Sequence, residues 1–351
     1  MSDAATSGVG ASDAGTGRPT TADRIAAERR VGIDIIICTF HREDLLVALL
    51  ASIGAATADP RADLGIIVVD NSDGATARRA VASAAPRLPY PVRYVEAHPP
   101  NISVARNAGI AASKAEFVAF LDDDQAVVPT WIRAVRQGVA RLPYDGFFGP
   151  VEPIYGNPDG VGPIARGLYE REPDLPDGTE LAVDGPERHR QGFVLATSNC
   201  ILRRAAIPDH DPFDFYLGAN GGEDLLLFHR MHQAGSRFGW LAEAGARDVV
   251  PASRTEPAYL RRRLLAGGQS YAWVIYLTAP DRRLAAAKLM AGAAVKLVLL
   301  AAAWCLAAVT GSTERRRSLA MRLAGQWGKL TFFSRRVPLY RHEDATRVPA
   351  G

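Results

Sequence analysis

The stretch EFVAFLDDD, residues 116 to 124, decides how the rest of the chain is interpreted, because an apolar segment runs directly into three carboxylates. Its first part, Phe117 to Leu121, has the continuous apolar character of a strand buried on both faces. The carboxylates Asp122 to Asp124 follow at once, and neighbouring like charges repel one another and raise each other's pKa. The pattern predicts a buried strand that ends at a site where a cation offsets the carboxylates.

Three further apolar segments precede this strand, and helix-like segments separate some of them. These apolar segments are short and rich in β-branched residues, which is typical of strands in a parallel sheet. The alternation predicts an α/β fold with a mostly parallel sheet and helices on both faces. The predicted strands are IDIIIC (33 to 38), GIIVVD (65 to 70), VRYVE (92 to 96) and EFVAFLD (116 to 122), and the predicted helices are REDLLVALLASI (42 to 53) and SVARNAGIAASK (103 to 114).

The second half of this domain starts with a segment rich in Pro and Gly, residues 143 to 190, which we predict to form long irregular loops over a site. A strand is predicted in GFVLATSNCILRR (192 to 204) and a helix in GGEDLLLFHRMHQAG (221 to 235), which Gly235 ends as a C-cap. A last short strand, RFGWL (237 to 241), follows.

Charge and composition divide the chain into three parts. Residues 1 to 30 contain almost no bulky apolar side chains, so we predict a disordered tail. Residues 31 to 250 form the predicted α/β domain, and residues 251 to 351 form a helical region with 17 Lys/Arg against 5 Asp/Glu. Such a basic region favours an anionic partner, either a membrane face or nucleic acid. We expect no nucleic-acid role, because the basic region lacks interleaved aromatic residues in a recognisable module.

Residues 284 to 310 are apolar apart from Lys288 and Lys296. Only 14 residues follow Lys296 without interruption, whereas a spanning helix needs about 20. Lysines snorkel, so one tilted span stays open beside two alternatives, a buried Ala-rich helix and an interfacial or re-entrant helix. Because Arg315 to Arg317 follow soon after, we predict that this region associates with the anionic face of a membrane.

The three carboxylates after the fourth strand suit a hard divalent cation. In an extended chain alternate side chains share a face, so we expect Asp122 and Asp124 to reach one ion while Asp123 points elsewhere. Mg²⁺ or Mn²⁺ would offset their repulsion and bridge to phosphate oxygens. A solvated acidic turn is the alternative. The loops GxxxxGK[ST] and GxGxxG are missing after the predicted strands, which argues against an ATPase or a dehydrogenase.

The blocks CTFHRED, VVDNSDG, NISVARNAGIAASKAEFVAFLDDD and GGEDLLLFHRMHQAG, in this order, resemble the family-2 inverting glycosyltransferases with the GT-A fold. The closer resemblance is to the succinoglycan-biosynthesis type of glucosyltransferase, to which GPV, VPASR and RRRLLAGGQSYA also correspond. It covers about Gly32 to Ala272, with fainter similarity in GQWGKLTFF. The resemblance implies a GT-A domain, a UDP-sugar donor and a divalent cation.

The resemblance also implies roles for individual residues. Asp122 and Asp124 would hold the metal, and Arg106 suits an anionic donor by its charge and its planar group. A salt-bridge role for Arg106 on its helix is the alternative. Asn71 departs from the acidic pair often found there, which leaves that base contact open. The residues implied to bind the nucleotide-sugar are Thr39, Arg42, Asp70, Asn71, Arg106 and Asp123.

In the same family, the residue matching Asp224 is the general base that removes the proton of the acceptor hydroxyl, and the residue matching Glu223 supports it. Both carboxylates open a helix, so stabilisation by the helix dipole is the alternative. Arg254, Arg262 and Gln269 match a segment that closes over the diphosphate or guides the acceptor. An amphipathic helix with a solvated basic face would look the same.

The resemblance therefore implies a non-processive inverting glycosyltransferase, since the chain also lacks the QxxRW motif of processive enzymes. It would move a hexose, with glucose as the first guess, from a UDP-sugar to a lipid-linked saccharide in exopolysaccharide or other cell-surface glycan synthesis. The expected location is the cytoplasmic face of the cell membrane. A sugar-nucleotidyltransferase is one rival, although CTFHRED lacks its Gly-rich phosphate loop. A non-catalytic membrane scaffold is the other.

Overall fold

The computed structural model describes residues 30–57, 62–334 and 336–338. The predicted tail, residues 1 to 30, lies outside the described residues except for Arg30. Strands, numbered in chain order, are β1 Val31–Thr39, β2 Ala62–Asp70, β3 Val92–Glu96, β4 Phe117–Asp122, β5 Gln125–Val127, β6 Gly146–Phe148, β7 Val151–Tyr155, β8 Glu180–Leu181, β9 Cys200–Arg203, β10 Phe238–Trp240 and β11 Ala246–Val250. Helices are α1 Glu43–Ala55, α2 Arg78–Ala84, α3 Ile102–Ala112, α4 Trp131–Arg141, α5 Pro163–Tyr169, α6 Gly185–Gln191, α7 Phe215–Gly218, α8 Glu223–Gln233, α9 Pro257–Thr278, α10 Arg282–Val309 and α11 Thr313–Leu330.

An eight-stranded sheet in the order β3-β2-β1-β4-β9-β6-β10-β8 forms the centre of the fold. β1 pairs in parallel with β2 and β4, and β2 pairs in parallel with β3. β9 runs antiparallel to both β4 and β6, so the second half of the sheet is mixed. The α/β fold class is therefore confirmed, and the parallel arrangement holds for the half that contains the four predicted strands.

Side chains of the sheet alternate into two apolar cores, one on each face, as expected for strands with a period of two. Ile33, Ile35 and Ile37 of β1 lie in one core with side chains of α1 and α4. Ile36 lies in the other core with side chains of α3 and α8. All four isoleucines are buried, which explains why β1 is almost continuously apolar in sequence.

A second, three-stranded sheet in the order β5-β11-β7 lies beside the end of β4. β11 runs antiparallel to β5 and parallel to β7, and Asp248 of β11 is in register with Gln125 of β5. Since β5 begins immediately after Asp122 to Asp124, this register brings β11 next to the three carboxylates.

Three long helices at the C-terminal end, α9, α10 and α11, pack against one another. A side chain at Gly268 of α9 would collide with the backbone at Gly325 of α11, and one at Gly328 would collide with the backbone at Leu265. The helix backbones therefore touch at these glycines. Among the described residues, α10 is the one helix long and apolar enough to cross a membrane, and 11% of its most apolar window is buried. It is not the buried Ala-rich helix that the composition also allowed.

Several short elements differ from the sequence-based expectations. Residues 143 to 190 contain β6, β7, β8, α5 and α6, so they are not simply long loops. In the predicted strand 192 to 204 only Cys200–Arg203 is extended in the sheet. β11 was not predicted. These elements are two to seven residues long, and their pairing partners lie far away in sequence, so local periodicity gives them little signal.

Candidate functional site

A cleft of about 1850 Å³ opens where the carboxyl ends of β1, β2 and β4 meet the start of α8 and the helices α9 to α11. Ligands of open α/β sheets bind at this edge of the strands. Most of the residues predicted for the site line this cleft. They are Thr39, Arg42, Asn71, Arg106, Asp122, Asp123, Asp124, Glu223, Asp224, Arg254 and Arg262.

The three carboxylates all line the cleft, but the chain is not extended through them. β4 ends at Asp122, and Asp123 and Asp124 form a turn into β5. The expectation that Asp123 points elsewhere because side chains alternate is therefore wrong. The strand ends one residue too early for the alternation to apply, and the turn presents Asp123 to the cleft together with its neighbours.

Side chains from the end of β1, from the residue before α1 and from the segment after β11 hold this turn. The Thr39 hydroxyl donates a hydrogen bond of 2.8 Å to Oδ2 of Asp123. Nη1 of Arg42 lies 3.0 Å from both Oδ1 of Asp123 and Oδ2 of Asp124, so one guanidinium bridges the two carboxylates. Nη1 of Arg254 lies 3.4 Å from the same oxygen of Asp124. The arginines thus neutralise part of the charge that makes DDD unusual in sequence.

Asp248 of β11 is a further carboxylate in the cleft, and it was not among the predicted site residues. In β11 buried and exposed residues alternate, and Asp248 occupies a buried position between Ala246 and Val250. A carboxylate on the apolar face of an alternating strand was the signal that could have found it. Oδ2 of Asp248 lies 3.9 Å from Nη2 of Arg171. The buried Oδ1 of Asp248 accepts no hydrogen bond from the described part of the chain.

The protonation of these carboxylates reflects burial. Burial raises the pKa of Asp123 to about 7, against the opposing effect of Arg42. Burial also raises the pKa of Asp248 to about 7, and the charges of Asp124 and Asp122 add to the effect. An additional cation in the cleft would therefore stabilise the ionised forms of both groups.

The site fits a divalent cation that binds together with a substrate. Oxygen ligands suit Mg²⁺ and Mn²⁺, and the orphaned Oδ1 of Asp248 beside Asp122 and Asp124 is a free acceptor of that kind. In residues 30–57, 62–334 and 336–338, no three His, Cys, Asp or Glu side chains come together as a complete metal-binding group. Mg²⁺ commonly uses one or two carboxylates and takes its other ligands from phosphates and water.

Arg106 and Glu223 form a buried ion pair that joins α3 to the first residue of α8. Nη1 of Arg106 donates to Oε1 of Glu223 at 2.6 Å, and its Nη2 lies 3.9 Å from Oδ1 of Asp122. Burial, followed by the charge of Asp224, raises the pKa of Glu223 to about 7 although Arg106 lowers it. The guanidinium also lies 5.3 Å above the centre of the Phe213 ring. Arg106 thus connects the acidic turn with the start of α8.

Asp224 is the half-buried neighbour of Glu223 and lines the cleft. Gly221 and Gly222 precede the helix with φ of 83° and 98°, a left-handed conformation that glycine adopts without strain. A side chain at Gly222 would place its first carbon 2.8 Å from Cβ of Ser270 on α9. The two glycines therefore let the chain turn tightly against α9, and the turn leads directly into Asp224 at the first turn of α8.

Two predicted site residues hold the fold and do not line the cleft. The Asp70 carboxylate accepts hydrogen bonds from the backbone N–H of Ser72 and Ala77 and from the Tyr94 hydroxyl. The Gln269 side chain accepts from the N–H of Val337 and lies 3.3 Å from the carbonyl oxygen of Thr331. Asp70 stabilises the turn after β2, and Gln269 fastens the end of the described chain to α9.

Asn71 lines the cleft and also holds the loop between β3 and α3 through hydrogen bonds. Its amide donates to the carbonyl oxygens of Ala97 and Pro99, and its Oδ1 accepts from the N–H of Asn101. Asn101 in turn caps α3 by accepting from the N–H of Ser103 at 2.8 Å. These bonds set the position of α3 and therefore of Arg106.

Comparison with known proteins places this geometry in a family. The profile of "Glycosyl transferase family 2" matches residues 34–204. The "Succinoglycan biosynthesis protein ExoM" of Rhizobium meliloti (strain 1021) is 33% identical over 291 residues, which cover 83% of this chain and 89% of that protein.

Solved structures with the same fold include TarS from S. aureus. A structure of TarS 1-349 in complex with UDP has a TM-score of 0.51 and 17% identity, covering 73% of this chain and 68% of that chain. A complex with UDP-GlcNAc has a TM-score of 0.51 and 16% identity, covering 73% and 69%. At this identity the TarS structures establish the fold alone. Together with the extent of the match to ExoM, these findings show that the chain belongs to glycosyl transferase family 2 and is a glycosyltransferase with the GT-A fold.

Proposed function

We propose that this enzyme transfers a hexose, with glucose as the first candidate, from a UDP-sugar to a lipid-linked saccharide at the cytoplasmic face of the cell membrane. One observation carries the proposal. A single continuous cleft joins the acidic turn after β4, the Asp224 carboxylate and the basic and apolar side chains of α10 and α11. The name of ExoM, succinoglycan biosynthesis protein, supports a role in the synthesis of a cell-surface polysaccharide.

The reaction is a single displacement in which Asp224 is the general base. Its carboxylate takes the proton of the acceptor hydroxyl while that oxygen forms a bond to the anomeric carbon of the donor sugar. The bond between the anomeric carbon and the diphosphate oxygen breaks, and its electron pair leaves with UDP. One displacement inverts the anomeric configuration. Asp224 suits this role because it is partly exposed in the cleft, whereas Glu223 is buried and paired with Arg106.

The arginines of the site stabilise the departing diphosphate. Arg42, Arg106 and Arg254 line the cleft around the acidic turn, and guanidinium groups bind phosphate oxygens through paired hydrogen bonds. Asp122 and Asp124, with Asp248 beside them, are the residues that would hold Mg²⁺ or Mn²⁺. When bound, such a cation supplies additional charge stabilisation for the leaving group.

Sugar transfer into lipid tests the proposal directly. Membranes of the host would be supplied with labelled UDP- and GDP-sugars and Mg²⁺ or Mn²⁺, and the lipid extract would be counted for the wild type and for Asp224→Asn. We expect label from one UDP-sugar and a loss of about 10²- to 10⁴-fold in the variant, the usual contribution of a general base.

The matched control is Asp73→Asn, which removes a carboxylate whose side chain is 82% exposed and lies outside the cleft. It should transfer at the wild-type rate. Wild-type transfer by Asp224→Asn would refute its role as the base. Release of pyrophosphate from UTP, with no label in lipid, would instead support a nucleotidyltransferase.

A further inference from the structure

The part of the cleft that the C-terminal helices line is basic. Four cationic side chains from three helices face it, and none belongs to the acidic turn or to α8. They are Arg188 of α6, Lys296 of α10, and Arg322 and Lys329 of α11. Their convergence depends on tertiary packing, because Arg188 lies more than a hundred residues before Lys296 in the chain.

Helical spacing shows that α11 presents one face to the cleft. Arg322, Gly325, Gln326 and Lys329 all line it, and steps of three and four residues place side chains on the same side of a helix. The buried Oε1 of Gln326 on this face accepts no hydrogen bond within the described ranges. This face therefore presents two cations to the cleft.

The cations lack carboxylate counterparts among the residues that the structure describes. No ion pair between described residues involves Arg188, Lys296, Arg322 or Lys329, although most arginines around the acidic turn are paired. Nζ of Lys329 lies 5.0 Å above the centre of the Tyr271 ring. All three of Lys329, Lys296 and Arg188 line the cleft. Burial lowers the pKa of Lys329, and the charges of Lys296 and Arg188 lower it further. Like charges collected in a cleft without a counter-ion are suited to a bound anion.

An exposed apolar stripe on α10 starts beside this basic group. Leu299 lines the cleft one turn after Lys296, and exposed large apolar side chains continue along the helix at helical spacing. Those on the stripe are Val295, Val298, Leu299, Leu306 and Val309. A ligand that fills both surfaces must therefore carry an anionic group at one end and a hydrocarbon chain at the other.

We propose that Arg188, Lys296, Arg322 and Lys329 bind the diphosphate of a lipid-linked acceptor, whose hydrocarbon chain lies along the exposed stripe of α10. This inference rests on the proposed function and assigns the acceptor end of the same cleft. The acidic turn then serves the donor and the basic group serves the acceptor, so each diphosphate has its own part of the cleft.

Binding of undecaprenyl diphosphate to the full chain in detergent micelles tests this site. The double variant Lys296→Gln with Lys329→Gln removes two of the charges, and Lys288→Gln removes a charge from an exposed position of α10 outside the cleft. We expect the double variant to weaken undecaprenyl diphosphate binding at least about tenfold, as for the loss of a charge-assisted hydrogen bond. UDP binding should stay within about twofold, because distant sites act independently.

Undecaprenol, which lacks the diphosphate, should bind the wild type about tenfold more weakly, because it cannot form the charge-assisted bonds. The proposal is overturned if the double variant keeps wild-type affinity for undecaprenyl diphosphate, or if UDP binding falls by the same factor. Equal weakening by Lys288→Gln, or equal competition by phosphatidylglycerol vesicles, would assign the charges to the membrane surface and also overturn it.

The assay measures binding and not transfer, so its result is independent of the proposed activity. Intact binding without transfer would refute the activity and keep the site. Transfer without charge-dependent binding would do the reverse.

Discussion

The two ends of the cleft handle charge in opposite ways. At the sheet edge, Asp123 and Asp124 share the guanidinium of Arg42, and Glu223 is paired with Arg106 at 2.6 Å. Among the helices, Lys296 and Lys329 face the same cleft without a carboxylate partner in the described chain. The fold positions the paired charges of the sheet edge against one another before any ligand binds, whereas the cations among the helices have no such partner in the described chain and can be neutralised by an anionic ligand. The difference teaches which charged groups of one cleft are held in place by the protein and which depend on a ligand for their counter-ion.

Removal of one partner at the paired end should have the largest effect. Arg106→Ala leaves Glu223 buried without its cation, so we expect the free energy of unfolding to fall by about 3–5 kcal/mol. Urea denaturation followed by circular dichroism measures this. The control is Arg78→Ala, which breaks the exposed pair with Glu96 and should cost no more than about 1 kcal/mol. Equal losses in both variants would remove the distinction between buried and exposed pairs.

Asp248 should sharpen the assignment of the sheet edge to a divalent cation. Because its orphaned oxygen lies in the same cleft as Asp122 and Asp124, Asp248→Asn should raise the Mg²⁺ concentration for half-maximal transfer about tenfold or more, the range seen when groups around a metal are removed. Glu152→Gln, on the neighbouring β7, removes a half-exposed carboxylate and is the control. An unchanged Mg²⁺ dependence in Asp248→Asn would exclude this carboxylate from the cation site.

The pH dependence of stability should separate Glu223 from exposed carboxylates. Its pKa rises from 4.5 to about 7 on folding, so the folded state binds the proton more tightly. Its contribution is complete below pH 4.5 and is lost as the pH rises to about 7, at less than about 1.4 kcal/mol per pH unit for one proton. In Glu223→Gln this part of the decline should vanish from urea-unfolding curves collected between pH 5 and pH 8. The same slope in both proteins would contradict the assignment.

The smallest effect is expected at the unpaired end. Lys329→Gln removes a half-buried charge that Lys296 and Arg188 repel. The free energy of unfolding, measured by thermal denaturation, should therefore change by no more than about 0.5 kcal/mol. A loss above about 2 kcal/mol would mean that the lysine has a structural partner, and the comparison between the two ends would fail.

Features of the fold and the site could be predicted where residues close together in sequence determine them. The four parallel strands and the helices α1 and α3 were predicted because their apolar patterns are local. The residues at the carboxyl ends of β1, β2 and β4 then had to meet at one edge of the sheet. The helices α2 and α4 were not predicted. The identity of Asp224 as the base came from the family resemblance and stays a prediction.

Other features depend on distant contacts. Asp70 follows its strand as a ligand residue would, yet its oxygens are occupied by Ser72, Ala77 and Tyr94. Asp248 joins the site only through the register of β11 with β5. The cationic group combines Arg188 of α6 with side chains of α10 and α11 that lie more than a hundred residues later in the chain. No local sequence pattern predicts these contacts, because each depends on how elements that are distant in sequence pack together.

The glycine contacts between α9 and α11 bear on the distance between the proposed base and the proposed acceptor site. Gly268, Gly325 and Gly328 bring the two backbones into direct contact, so neither helix can rotate or slide past the other without a collision. The turn that carries Asp224 rests on Ser270 of the same α9. Because α10 packs against both of these helices, the distance from Asp224 to the apolar stripe depends on the same packing. An acceptor held at the stripe would present its terminal sugar to Asp224 only if its saccharide spans that distance. The crossing of α9 and α11 would therefore select acceptors by the length of their saccharide.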